Sequence, residues 1–136
     1  MLQARRFDIQ DVVNRGATVL VIDDDANIKE GLETLLEQQG FQVHAASNGA
    51  EAFALLLNGL TPSVIVLDLC MPVMDGETFL RALGVVPRLG SIPVIIYSAV
   101  AWPVVADGVV AYVTKGSDPT ALLEAIAVSC QPRVLH

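Results

Sequence analysis

Lysine is scarce in this sequence: of eight basic residues only Lys29 and Lys115 are lysines. Against fifteen acidic residues this leaves a net charge of −7, which argues against a nucleic-acid surface built from clustered Lys and Arg. Cysteine is scarce too, and Cys70 and Cys130 form neither a disulfide framework nor a metal-ligand spacing. No apolar run approaches the ~20 residues of a membrane-spanning helix, because Asp, Pro, Gly or Lys interrupts each one. The opening residues, MLQARRFDIQ, lack the apolar core of a secretory signal. A cytoplasmic protein is therefore expected. There is no internal repeat and no low-complexity tract. With 53% apolar and 17% charged residues over 136 positions, the chain has the balance of one folded domain rather than of a disordered segment.

What is present is an alternation. Thr18 to Ile22 is apolar in the way of a strand buried on both faces. A helix is predicted from about Asn27 to Gln39, with Ile28, Leu32, Leu35 and Leu36 on one face and Gly40 as its stop. Phe41 to Ala46 reads as a second, weaker strand, and Asn48 with Glu51 opens a helix through Phe53, Leu56 and Leu57. Ser63 to Leu67 is a third strand, Gly76 to Leu83 a helix, Pro93 to Tyr97 a fourth strand and Val109 to Val113 a fifth. Asp118-Pro119 then caps and starts a final helix carrying Leu122, Leu123, Ile126 and Ala127. This pattern predicts an α/β fold, a parallel sheet covered by helices on both faces. The domain is expected over residues 17–131, with a flank at 1–16 and a tail at 132–136. Ile9, Val12 and Val13 can line up on a short helix, but Asn14-Arg15-Gly16 breaks it, so a tethered flank or disordered arm is expected there.

The polar residues gather at the strand ends. Open parallel sheets bind ligands beyond the carboxyl ends of their strands, where the strand order reverses. Strand one ends in Asp23, Asp24 and Asp25, strand three in Asp68, strand four in Ser98 and strand five in Lys115. A 2-1-3-4-5 order sets strands one and three side by side, which brings Asp23, Asp24 and Asp68 together. Three carboxylates in one cleft need a proton or a cation between them, and a hard dication such as Mg²⁺ suits oxygen ligands of this kind. Lys115 and Ser98 add a point charge and a hydroxyl that can hold an anion beside the metal. That set describes phosphoryl transfer better than any other chemistry. For Asp25 a helix-capping role competes equally.

Val21-Ile22-Asp23-Asp24-Asp25, then Leu67-Asp68-Leu69-Cys70-Met71-Pro72-Val73-Met74-Asp75-Gly76, then Tyr97-Ser98-Ala99, then Ala111-Tyr112-Val113-Thr114-Lys115 resemble, in order and spacing, the receiver domain of bacterial two-component response regulators. The resemblance covers residues 17 to about 130. It implies a flavodoxin-like (βα)5 sandwich in which Asp68 accepts a phosphoryl group from a phosphohistidine on a kinase or phosphotransfer protein. It further implies that Asp24, Asp68 and the main-chain carbonyl of Cys70 hold Mg²⁺, with Asp23 acting through a bound water. Lys115 would pair with the phosphoryl oxygens, Ser98 would bond the phosphoryl group and move with it, and Tyr112 would change rotamer as the readout. Met71-Pro72 and Asp75-Gly76 would shape the loop. The positions flanking the path of a hydrolysing water are Cys70 and Val100, neither suited to position one, so slow autodephosphorylation and no other enzymatic activity are expected. The sequence departs from the family at Gly116, which stands where most relatives have proline, and this bears on the placement of Lys115.

Other readings fit less well. A haloacid-dehalogenase-like phosphatase needs an Asp two residues after its nucleophile, where this chain has Cys70. A flavodoxin needs a phosphate loop after strand one, where three aspartates stand instead. A pseudo-receiver, acting through protein contacts without phosphorylation, remains the alternative. Six residues follow Cys130, so no output domain is expected, whether the chain is a stand-alone regulator, a phosphorelay shuttle or a piece of a larger protein. Neither nucleic acid nor membrane is expected as a partner. Only ten residues, Ala99 to Gly108, separate strand four from strand five, fewer than the dozen or so a crossover takes. The helix there is expected to be short, irregular or missing, with Trp102 either filling the gap or standing exposed as an interface anchor. A homodimer remains open, but not through the usual fourth-helix face.

Overall fold

The run Thr18–Ile22 forms β1, joined by the apolar runs β3 (Val64–Leu67) and β4 (Val94–Ser98) and by the half-exposed β2 (Gln42–Ala46) and β5 (Val109–Thr114). In the computed structural model, which describes residues 9–71, 73–99, 108–116 and 118–130, they make one sheet in the order β2-β1-β3-β4-β5. Every pairing is parallel. Among the described residues six helical segments accompany the strands: α1 (Ile9–Asn14), α2 (Ala26–Gln39), α3 (Gly49–Leu57), α4 (Gly76–Val85), α5 (Pro87–Gly90) and α6 (Pro119–Ser129).

Because successive strand residues point to opposite faces, the central strands feed two cores. Leu20, Ile22, Ile65, Leu67, Val94 and Ile96 pack on one side, against Ala52 and Leu56 of α3, Phe79, Leu80 and Leu83 of α4, and Leu89 of α5. Val19, Val21, Val64, Val66 and Ile95 pack on the other, against Val12 of α1, Leu32 and Leu36 of α2, and Leu122 and Ile126 of α6. This is the three-layer fold expected from the alternation of patterns.

Polar side chains fix where the helices start. Asp25 accepts hydrogen bonds from the Asn27 and Ile28 amides at the start of α2, Asn48 from the Glu51 amide at α3, Asp75 from the Thr78 amide at α4, and Asp118 from the Thr120 amide at α6. Each satisfies amides that the first helical turn leaves without partners. The carboxyls of Asp75 and Asp118 are held below the usual carboxylate range by those amides.

Two elements differ from the sequence expectation. The flank is not an arm at residues 9–14: it is helix α1, and Val12 is buried in the core it shares with α2 and α6. The Ile9-Val12-Val13 stripe forms because the junction of α2 and α6 offers it an apolar surface, a tertiary effect that overrides weak local propensity. The short helix α5 was not anticipated. Its Arg88 side chain donates to the Leu56 carbonyl at the end of α3, at 2.8 Å. The expectation of a short or missing helix between β4 and β5, and the placement of Trp102, fall on residues 100–107, outside the described residues. Val12→Ala is expected to destabilise the fold by about 2 kcal/mol, the usual scale for truncating a buried aliphatic side chain. Urea unfolding measures it, and a change below about 0.5 kcal/mol, the scale of surface substitutions, would show α1 to be a loose appendage.

Candidate functional site

Ile22 and Leu67 are register partners on β1 and β3, so the residues after them, Asp23 and Asp68, emerge side by side at the carboxyl edge of the sheet. Backbone bonds hold them there: the Asp68 amide donates to the Ile22 carbonyl at 3.0 Å and the Asp23 amide to the Ala46 carbonyl at 3.1 Å. Both carboxylates are buried, whereas Asp24 is exposed. One ligand oxygen from each of Asp23, Asp24 and Asp68 lies within 4.8 Å of the others.

Lys115 enters this cluster from just beyond β5. Its Nζ lies 2.7 Å from Asp23 Oδ2 and 3.4 Å from Asp68 Oδ2. The buried Asp23 Oδ2 meets no donor other than this ammonium among the described residues. The other oxygens take backbone donors, Asp23 Oδ1 from the Asp25 amide at 2.9 Å and Asp68 Oδ1 from the Cys70 amide at 3.3 Å. Burial, and then the charge of Asp23, push the Asp68 carboxyl above its ordinary range, and Lys115 only partly offsets this. Burial opposes the Lys115 charge, but the contacts with Asp23 and Asp68 outweigh it and raise its pKa. One ammonium thus does not neutralise the cluster. Two buried carboxylates that share one ammonium, with a third carboxylate open to solvent, fit a hard dication, which takes oxygen ligands and keeps waters.

The remaining sequence candidates are placed as follows. Ser98 is buried at the end of β4, its carbonyl accepting from the Lys115 amide at 2.9 Å. Tyr112 lies on β5 opposite Ile96 and is half exposed. Cys70 is exposed beside Asp68. Asp25 serves as the α2 cap, the competing role weighed for it. Met71 is buried and Asp75 caps α4. Gly76 is required where it stands, since a Cβ there would lie 2.8 Å from Leu69 Cα. Pro72 and Val100 lie outside the described residues. Gly116 has φ +84°, a value closed to proline, whose ring fixes φ near −65°. The loop carrying Lys115 therefore follows a path that a proline at this position could not take. Two features escaped the sequence reading. Lys29 donates from Nζ to Ser47 Oγ, tying α2 to the β2–α3 loop, and Val73 has φ +71°, which nothing in a valine announces.

The model of the response regulator receiver domain matches residues 19–127. The chain belongs to the response regulator receiver family. Among similar proteins, an uncharacterized 14.6 kDa protein in the sodA1 3′ region of Leptolyngbya boryana is 32% identical over 82% of this receiver and 88% of its own length. The transcriptional regulatory protein GltR of Pseudomonas aeruginosa is 38% identical over 62% of this receiver, which spans 34% of that longer protein. Among solved structures, the receiver domain of a signal transduction histidine kinase from Syntrophus aciditrophicus has a TM-score of 0.76 at 28% identity, covering 84% of this receiver and 89% of that chain. The chemotaxis protein CheY4 of Vibrio cholerae has a TM-score of 0.76 at 27% identity, over 83% and 98%. The flavodoxin-like parallel sheet and the two-component context follow from this membership. No helix among the described residues is long and apolar enough to cross a membrane.

The raised Asp68 pKa has a testable sign. The native state binds this proton more tightly than the unfolded chain, so the ionised carboxylate destabilises the receiver above its folded pKa, and the penalty is absent below 3.8. In urea unfolding with chelator present, Asp68→Asn is expected to be more stable than wild type at neutral pH, with the advantage shrinking as the pH falls towards 3.8. An Asn variant less stable at neutral pH would contradict this.

Proposed function

We propose that this receiver is a phosphoryl-accepting switch, charged on Asp68 by a histidine kinase or phosphotransfer protein in the cytoplasm. The observation that carries the reading is the joint placement of Asp23, Asp24 and Asp68 with Lys115 against the two buried carboxylates. An Asp68 oxygen attacks the phosphorus of a phosphohistidine, an O–P bond forms, the P–N bond breaks and its electron pair stays on the donor nitrogen. The product is an acyl phosphate. Asp24, Asp68 and the Cys70 carbonyl would hold Mg²⁺, which when bound neutralises carboxylate and phosphoryl charge. Asp23, whose oxygens already meet the Asp25 amide and Lys115, suits contact through a water.

Lys115 leans towards the incoming phosphoryl oxygens, with which it can pair once the added group draws it from the carboxylates. The Ser98 hydroxyl donates to one of those oxygens and shifts to do so. Ser98 and Thr114 face each other across β4 and β5, and the Lys115 amide is bonded to Ser98, so a shift at Ser98 is passed to β5. There half-exposed Tyr112 has room to change rotamer and report the state. The exposed Cys70 offers a hydrolysing water no carboxylate or amide, consistent with a slow return to the unmodified form.

The experiment is labelling of the whole chain with acetyl phosphate. Wild type is expected to gain one base-labile and hydroxylamine-labile phosphoryl group in Mg²⁺ and none in chelator, with Asp68→Asn unlabelled. An unlabelled wild type would favour a receiver working through protein contacts alone, and a labelled Asp68→Asn variant would place the nucleophile elsewhere. Cys70→Asn is expected to lose the label faster than wild type, and an unchanged rate would remove Cys70 as the cause of slow hydrolysis.

A further inference from the structure

Val73 is the one non-glycine residue with a left-handed backbone among the described residues, at φ +71°. A β-branched side chain is a genuine outlier there, since its Cβ crowds the following carbonyl. Nothing in the fold compensates, because the side chain is 84% exposed. The loop cannot relax the strain either. Gly76 donates from its amide to the Leu69 carbonyl at 3.1 Å, closing the loop. Asp75 is fixed as the α4 cap, and Met74 lies against Gly49, where an added Cβ would meet its sulfur at 3.0 Å. Glycine or asparagine would take this backbone at lower cost. Valine is held outward here without a structural reason.

Its position supplies one. The other large apolar side chains exposed among the described residues are Leu57, Val85, Val110, Tyr112 and Val128. Leu57, Val85 and Val128 lie in the last turns of α3, α4 and α6, Val110 near the start of β5 and Tyr112 midway along it. All lie away from the carboxyl ends of the strands. Among the described residues Val73 alone stands in a loop at the mouth. Asp68 is only 5% exposed, so a phosphohistidine must descend into that mouth while the protein bearing it rests on the rim.

We propose that Val73 is an apolar anchor for the protein phosphodonor, taking an aliphatic side chain next to the donor's phosphohistidine. The inference rests on Asp68 being the phosphoacceptor. A strained, rigid, exposed apolar residue is preorganised for such a contact, and a small-molecule donor gains nothing from it.

The test compares two donors on the full chain: acetyl phosphate, and the purified kinase domain that charges wild type fastest in a preference screen of kinases from the same organism. Val73→Asn relieves the backbone and removes the apolar group, whereas Val73→Ile keeps both. Both variants are expected to label with acetyl phosphate at the wild-type rate. From the kinase, Val73→Ile should charge normally and Val73→Asn roughly tenfold more slowly, the scale of one modest apolar hot spot. Val73→Asn should also melt roughly 4 °C higher, as relief of such strain gives in a domain of this size. Equal charging of all three chains by the kinase would overturn the inference. So would an unchanged melting temperature in Val73→Asn, or a wild type that no kinase charges faster than acetyl phosphate does. A wild type that acetyl phosphate fails to label would instead overturn the phosphoacceptor reading on which the inference stands.

Discussion

Lys115 has to reach across the sheet. It follows β5, yet the carboxylates it meets follow β3 and β1, on the far side of β4. Strands β5 and β3 are roughly 10 Å apart at ordinary strand spacing, a gap bridged by a long side chain leaning in from a loop. Gly116, at φ +84°, turns the chain directly after the lysine, and the bond from the Lys115 amide to the Ser98 carbonyl sets the height of the lysine above the sheet. Among the described residues, both ion pairs that touch the carboxylate cluster come from this one ammonium. Burial, and then the charge of Asp23, keep the Asp68 pKa raised in spite of this ammonium.

The rest of the fold can be understood as support for that burial. Two buried carboxylates cost stability that a small domain must recover elsewhere. The central strands β1, β3 and β4 are buried almost throughout and are clasped by cores on both faces. Helix α1 adds to one of those cores, at the end of the sheet remote from the site. The capping aspartates Asp25, Asp75 and Asp118 stand on the same edge as the site but accept from amides at helix starts. An edge rich in aspartate therefore divides into carboxylates that hold helices and carboxylates gathered around Lys115.

Most of this was legible in the residues. An apolar run ending abruptly in Asp, as at Ile22-Asp23 and Leu67-Asp68, marks both a buried strand and its functional end, because a central strand of a covered parallel sheet has no solvated face to carry polar residues. The gathering of Asp23, Asp24 and Asp68 followed from the strand ends and the 2-1-3-4-5 order, whereas Cys70 and Tyr112 were named only through the family resemblance. What was not legible depends on tertiary contact. The six residues of α1 cannot hold a helix by propensity, and only the surface offered by α2 and α6 makes them one. The turn at Pro87–Gly90 is too short to carry a period. Val73 carries no sequence sign of its conformation, since valine is the wrong residue for it. Asp25 was undecided because the same carboxylate can cap or coordinate, and only the distances to the Asn27 and Ile28 amides separate the two.

The central claim is that the mouth lacks one dication's worth of positive charge. Titrating the metal-free chain with Mg²⁺ while following backbone amide chemical shifts tests it most directly. The account predicts a single saturable site, with the largest shifts at Asp23, Asp24, Asp68 and Cys70 and a loss of saturation in Asp24→Asn. Shifts that never saturate, or that centre on the acidic outer surface of α2 at Glu30, Glu33 and Glu37, would contradict it.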